Sequence, residues 1–180
     1  MDTFELITNR RSIRRYSSQP IREEVVQKIL QAGMSGPSCV NARDYAFVVT
    51  QDKAKMLEMY TACGGPAAPL KDATLAILVC GDLNRSFSMA KEYWIIDAAI
   101  AAQNMSLAAY DLGLGNVWLG VWPQDERVRN LINLFELPDN IIPHSILAMG
   151  YPEDDRDMAP LTEERKREKF EADRIHREKW

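Results

Sequence analysis

Residues 92–112 constrain the fold more than any other stretch. Trp94, Ile95, Ile96, Ala98, Ala99, Ile100, Ala101, Ala102, Met105, Leu107 and Ala108 crowd one segment of helical length. On a 3.6-residue period they cover most of the circumference, so a helix from Glu92 to Leu112 must be buried on most sides. In a chain of 180 residues, one way to bury it fully is against a second copy of itself. Gly113 and Gly115 mark its end.

The remaining elements alternate around it. Pro20 to Gly36 reads as a helix, with Pro20 in its first turn, Glu23 and Glu24 at its positive end, and Val25, Val26, Ile29 and Leu30 as its stripe. Gly33 and Gly36 weaken and stop it. A polar loop spans Ser35 to Arg43, and Tyr45 to Thr50 is rich in β-formers. Asp52 can cap a helix running to about Cys63, which Gly64-Gly65-Pro66 breaks. Ala73–Cys80, Asn116–Val121 and Ser145–Met149 are expected strands, and Gln124–Phe135 an amphipathic helix. The pattern predicts a central sheet with helices on both faces, as one domain over residues 1–180.

Composition narrows the function. A net charge of -4 argues against general nucleic-acid affinity. No apolar run approaches the roughly 20 residues that span a bilayer. Cys39, Cys63 and Cys80 lack CxxC spacing, and His144 and His176 lie far apart, so neither a disulfide framework nor a metal site is expected. With Asp2 and Glu5 and no apolar core, the N-terminus does not read as a signal peptide, and the cytoplasm is the expected compartment.

Charge is concentrated in two places. Arg10-Arg11-Ser12-Ile13-Arg14-Arg15 follows a short amphipathic segment whose apolar face is Phe4, Leu6 and Ile7. Arginine's planar fork suits phosphate, and Ser12 adds a donor. The run is therefore either an anion clamp or a solvated basic turn paired with some of the 26 acidic residues. From Glu153 to Trp180, 18 of 28 residues are charged, yet Phe170, Ile175 and Trp180 recur as apolar anchors. That segment reads as an arm lying over a surface, such as a partner subunit's.

No catalytic triad, HExxH or P-loop is present. Gly113-Leu114-Gly115 does not open a dinucleotide site, because Trp118 replaces the third glycine and the run follows a helix. Trp118-Leu119-Gly120-Val121-Trp122 is either core packing or a platform where Gly120 admits a flat ligand to the backbone. Anion binding, a flat aromatic site and no acid-base pair suit a protein whose cofactor carries the chemistry.

Taken in order, Arg10-Arg11-Ser12-Ile13-Arg14, Pro37-Ser38 with Asn41, Ala76-Ile77-Leu78-Val79, Asp97 with Gln103-Asn104, Gly113-Leu114-Gly115 with Trp118-Leu119-Gly120, and Gly150-Tyr151-Pro152 resemble the nitroreductase family of FMN-dependent oxidoreductases, its shorter members above all. The resemblance spans nearly the whole chain. It implies an α+β fold, a three-layer α-β-α sandwich with a central mixed sheet, forming an intertwined homodimer with FMN at the interface. Residues 153–180 would be a charged arm packing on the dimer.

On that resemblance, Arg10 and Ser12 contact the phosphate or ribityl chain with Arg11 nearby, and Arg14 lies beside the pyrimidine edge. Pro37, Ser38 and Asn41 reach across from the other subunit. Trp118, Leu119 and Gly120 line the ring, with the Gly120 amide near N5. Arg167 and Lys169 keep the spacing of a phosphate-gripping pair with the residue types exchanged. Tyr45 stands where the family often has an aromatic residue, Pro66 to Lys71 leaves the O4/N3 contact unassigned, and Leu119 stands where larger members place an acid. The implied reaction carries a hydride from NADH or NADPH through flavin N5 to a nitroaromatic, quinone or similar conjugated acceptor, in ping-pong order. A second reading is a dimer acting as a sensor or partner-binding module. Cys39 is expected to be a small filler rather than a reactive thiol.

Overall fold

The computed structural model describes residues 2–180. Helix α1 (Thr3–Asn9) starts on a reciprocal cap in which Asp2 and Glu5 exchange side-chain and backbone bonds. Then come α2 (Glu23–Met34), β1 (Tyr45–Thr50), α3 (Lys53–Cys63), β2 (Leu75–Asp82), α4 (Tyr93–Asp111), β3 (Gly115–Gly120), α5 (Asp125–Phe135), β4 (Ile141–Gly150) and the one-turn α6 (Glu163–Arg167). Asp52 caps α3 by accepting from the Ala54 and Lys55 amides. Pro20 lies outside α2, which begins three residues later than its first-turn chemistry suggested. β4 runs over ten residues, twice the expected core, because its flanks continue to pair with β2.

The strands lie in the order β1-β2-β4-β3, every neighbouring pair antiparallel. The mixed character expected of the sheet reduces to one parallel bridge between Ser12 and Asn116. Two apolar clusters cover its faces. On one, α3 and α5 pack with Met56, Met59, Leu70 and Leu131 against Leu78 and Ile146; on the other, α2 and α4 pack with Ile29, Ala98 and Met105 against Ile77 and Leu147. The alternation of Leu75, Ile77 and Val79 with Ala76, Leu78 and Cys80 between the clusters follows from the two-residue period of a strand.

Gly33 has a different task from the helix-weakening one its sequence position suggested. It is buried inside α2, and a Cβ there would lie 2.7 Å from Met105 Cγ. It lets α2 and α4 approach closely. Gly113, in contrast, has φ +81° and ends the turn after α4.

Helix α4 is buried along one face, from Trp94 through Asp97, Ala101 and Met105 to Tyr110. Its other face is not covered within this chain: Tyr93 is 44% exposed and Ile96 51%. Phe4 and Ile7 of α1 point outward too, so of the apolar face expected of that segment only Leu6 packs against this chain's core.

Candidate functional site: a cationic edge and a strained loop

The arginine run is held as an extended strip along the free edge of β3. The Ile13 amide donates to Asn116 O at 2.9 Å, and Asn116 is fixed in turn by α4: Ser106 Oγ donates to Asn116 Oδ1 at 2.6 Å, and Asn116 Nδ2 donates to Ser106 O at 3.0 Å. Ile13 and Tyr16 are buried and anchor the strip, while Ser12, Arg14 and Arg15 are exposed. Two glycines make room for the anchors. A Cβ at Gly115 would lie 2.6 Å from Ile13 Cγ2, and one at Gly150 would lie 2.6 Å from Tyr16 Cβ. The Tyr16 hydroxyl sits within 2.6 Å of Ile13 O and 2.9 Å of Ala148 O, and burial pushes its pKa up.

The C-terminal arm brings another cation to this strip. Asn9 Oδ1 accepts from the Leu161 amide at 2.8 Å, and Lys169 Nζ donates to Thr8 O at 2.6 Å and toward Arg10 O at 3.5 Å. Burial, then the positive charges of Arg10 and Arg11, push the Lys169 pKa down. Arg11 donates to the carbonyls of Ala159 and Arg156, at 2.9 and 3.1 Å. Among the described residues, no ion pair involves Arg10, Arg11, Arg14 or Lys169. Arg15 differs: it shares a cleft with Glu153, Asp154, Asp155 and Asp157, and fits the solvated basic turn. Arg167 closes α6 with its side chain exposed, and no bond brings it to the strip.

At the other end of β3, Gly120 is exposed, and a Cβ there would meet nothing within 4 Å. Packing in this chain therefore does not require glycine at 120, and the space over its backbone is open. Trp118 is half-buried and meets His144 edge-on at 5.9 Å; Trp94 meets His144 at 6.0 Å and Trp122 at 5.2 Å. Burial lowers the His144 pKa to about 4, so the imidazole is neutral at pH 7. The Leu119 side chain joins the core cluster on the α3–α5 face, leaving its backbone as the part a ligand could meet.

Pro37, Ser38 and Asn41 lie on a tight loop beside the N-terminal half of α4. Ser38 Oγ accepts from the Arg43 amide at 3.0 Å, and Asn41 Oδ1 accepts from Arg43 Nε at 3.1 Å. Val40, Asn41 and Arg43 have φ of 44, 59 and 50°. Left-handed backbone costs roughly 1–2 kcal/mol per residue outside glycine, so this loop persists only because its surroundings hold it. The Cys39 amide donates to both oxygens of Asp97, at 3.1 and 2.9 Å. Tyr45 stacks on Phe47 with centroids 5.4 Å apart, on the wall of a cleft of about 430 Å³ between α2 and β1. The Gly65–Lys71 segment is a 3-10 turn whose Ala67, Pro69 and Leu70 are buried.

Two groups thus form within one chain: the cationic strip with Lys169 near Asn116, and the strained loop near Asp97. Asp97 and Ser106 are nine residues apart on one helix, about 14 Å along its axis. Sequence reading gave Asp44 no role, and it noted Asp97 only as part of the resemblance. Asp97 is the one acid among the apolar residues from Tyr93 to Ala102, which is the signal that could have marked it.

Comparison with known proteins places this fold in a family. The nitroreductase family model matches residues 7–82 and 65–151. The chain belongs to the nitroreductase family. It is 43% identical over 180 residues to a Methanothermobacter thermautotrophicus protein provisionally named NADH dehydrogenase/NAD(P)H nitroreductase, covering 100% of this chain and 88% of that one. It is 31% identical to the Bacillus subtilis FMN reductase [NAD(P)H], covering 85% of this chain and 67% of that one. Among solved structures, an FMN-dependent nitroreductase from Clostridium difficile R20291 superposes with a TM-score of 0.86 at 26% identity, covering 99% of this chain and 100% of the other.

Proposed function

We propose that this chain binds FMN and acts as an NAD(P)H-dependent oxidoreductase, working as a homodimer in the cytoplasm and reducing a nitroaromatic, a quinone or a similar conjugated acceptor. The carrying observation is the cluster of Arg10, Arg11 and Lys169 with no carboxylate partner among the described residues. Like charges held together repel unless an anion joins them, and the flavin phosphate is an anion of the right charge and denticity. The open backbone at Gly120 fits the other requirement, a flat ring lying against a strand end. A nitroreductase-type protein from Desulfovibrio desulfuricans, solved in complex with FMN, superposes with a TM-score of 0.73 at 29% identity.

When bound, FMN would supply the redox chemistry that the chain's own side chains lack, exchanging a hydride with NADH or NADPH. The chain's own work is grip and orientation. Arg10, Arg11, Ser12 and Lys169 would hold the phosphate and ribityl end, and Arg167, exposed at the end of α6, would have to swing inward to join them. Arg14 places a positive charge beside the pyrimidine edge, where the reduced ring carries its negative charge. Trp118 and the backbone of Leu119 and Gly120 would line the ring at the open end of β3.

Pro37, Ser38 and Asn41 serve the site of the second subunit in this reading. The exposed Tyr93 and Ile96 face of α4 and the outward Phe4 and Ile7 support it, because a second copy would cover them. So do Phe170, Ile175 and Trp180, exposed at 68, 52 and 100% on an arm, residues 153–180, that has little else to bury them. One experiment tests the whole reading. The purified protein is expected to be yellow, to bleach anaerobically with NADH or NADPH, and to recover its colour when an acceptor is added. A yellow protein that neither nicotinamide reduces would leave a flavin-binding module instead.

A further inference from the structure

We propose that Asp44 and Asp97 share one proton, and that the hydrogen bond between them is the clasp that holds the Pro37–Asn41 loop in position for the flavin. The inference rests on the FMN reading above and adds two positioning residues to it.

The geometry is closed on every side. Asp44 is 0% exposed and Asp97 2%. The Asp44 carboxyl lies within hydrogen-bonding reach of Asp97. Neither of its oxygens receives a donor from any other described residue. Neither acid takes part in an ion pair there. The neighbouring polar groups are occupied elsewhere. Arg43 Nε bonds Asn41, Arg85 Nε bonds Ala42 O, the Tyr45 hydroxyl bonds Met34 O, and Asp82 Oδ1 takes the Asn84 amide and Asn140 Nδ2. Cys39 offers only its amide, and burial pushes the Cys80 thiol up to about 12.

Two ionised carboxylates at this separation and out of water would repel strongly, while one proton between them converts the repulsion into a donor–acceptor pair. Burial first, then Asp44, raises the Asp97 acid to about 6, even though the Cys39 amide pulls the other way.

The pair is placed to act on the loop. Asp97 holds the Cys39 amide at the loop's start. Asp44 stands at its end, where its carbonyl accepts the Asp82 amide at 2.7 Å. Between them lie the left-handed residues Val40, Asn41 and Arg43. A backbone with three unfavourable residues needs both ends fixed, and the shared proton joins the ends through α4. Removing the proton puts two charges in contact at the clasp.

The test compares FMN affinity of wild-type protein with Asp44→Asn and Asp97→Asn, from about pH 5 to about pH 8. An asparagine amide donates permanently to the remaining carboxylate, standing in for the protonated acid. All three are expected to bind alike at about pH 5. At about pH 8 wild type should be roughly tenfold weaker than either variant, the loss that one pKa unit of coupling produces. Titration of the FMN phosphate is common to all three and cancels in the ratio. Independently of FMN, wild-type protein at about pH 5 should show an infrared band of a buried protonated carboxyl that both variants lack. Parallel pH profiles, or a band set unchanged by both substitutions, would overturn the clasp. If wild type binds no FMN at any pH, the functional reading fails, and the infrared band alone decides whether the proton is shared. Should one asparagine variant fail to fold, the other carries the comparison.

Discussion

Toward the C-terminal half of α4, three cations crowd together within reach of water; toward its N-terminal half, two acids crowd together out of it. Arg10, Arg11 and Lys169 stay charged, keep their ion-pairing capacity free among the described residues, and are tethered through backbone carbonyls. Asp44 and Asp97 have no such freedom, because each is almost completely enclosed. Exposed like charges wait for a counter-ion and bind one when it comes. Enclosed like charges must resolve the conflict internally, and a proton is the smallest means of doing so. The first arrangement suits grip on a ligand, the second suits fixing a backbone.

The largest expected effect breaks the cationic end. Replacing Arg10 and Lys169 together by alanine should weaken FMN binding about a hundredfold, near 2.7 kcal/mol, as expected for lost charge-assisted bonds. Isothermal titration checks this, and Asp44→Asn should show no comparable loss at about pH 5. Next in size, Gly115→Ala should lower stability by about 2 kcal/mol in a urea melt, because its Cβ would strike Ile13 and displace the strip. A binding loss in the same variant would show that strip placement, not charge alone, makes the grip.

Raising ionic strength from about 0.05 to about 0.5 M should cost FMN affinity about fivefold, since Lys169 is exposed and Arg10 and Arg11 are partly so. The ratio between wild type and Asp44→Asn should stay within about twofold, because the acids are screened by protein rather than salt. The smallest effect concerns pH and stability. The folded-state pKa of Asp97 is about 6, above the ordinary carboxyl value, so the folded protein holds a proton that the unfolded chain gives up. Its contribution to stability is fully present below about pH 4 and is lost as pH rises through about 6. Asp97→Asn should remove that decline from melts recorded across the interval.

Much of the framework was legible in sequence for simple reasons. The Asp52 cap, the short apolar runs of β2 and β4 and the stripe of α2 are local signals, and local signals survive folding. Four arginines within six positions announce an anion site or its absence, and the structure divides them: Arg10 and Arg11 lie with Lys169, Arg15 lies among acids. What could not be read was contact between distant residues. Gly115 looks like helix punctuation until Ile13 is seen against it, and Gly33 looks like a helix breaker until Met105 fills its place. Asp44 and Asp97 stand 53 positions apart, and neither shows in sequence that it faces the other. Apolar residues around α4 say that it needs cover on most sides without saying what supplies it, and one face stays exposed within a single chain.

The central claim, that the Arg10–Lys169 cluster grips the flavin through its phosphate, has a direct measurement: the affinities of FMN and riboflavin, which differ only in that phosphate, compared at low salt. FMN should bind at least about a hundredfold more tightly, and the advantage should all but vanish when Arg10 and Lys169 are replaced by alanine. Equal affinity for the two flavins in the wild-type protein, or an advantage that survives the double replacement intact, would contradict it.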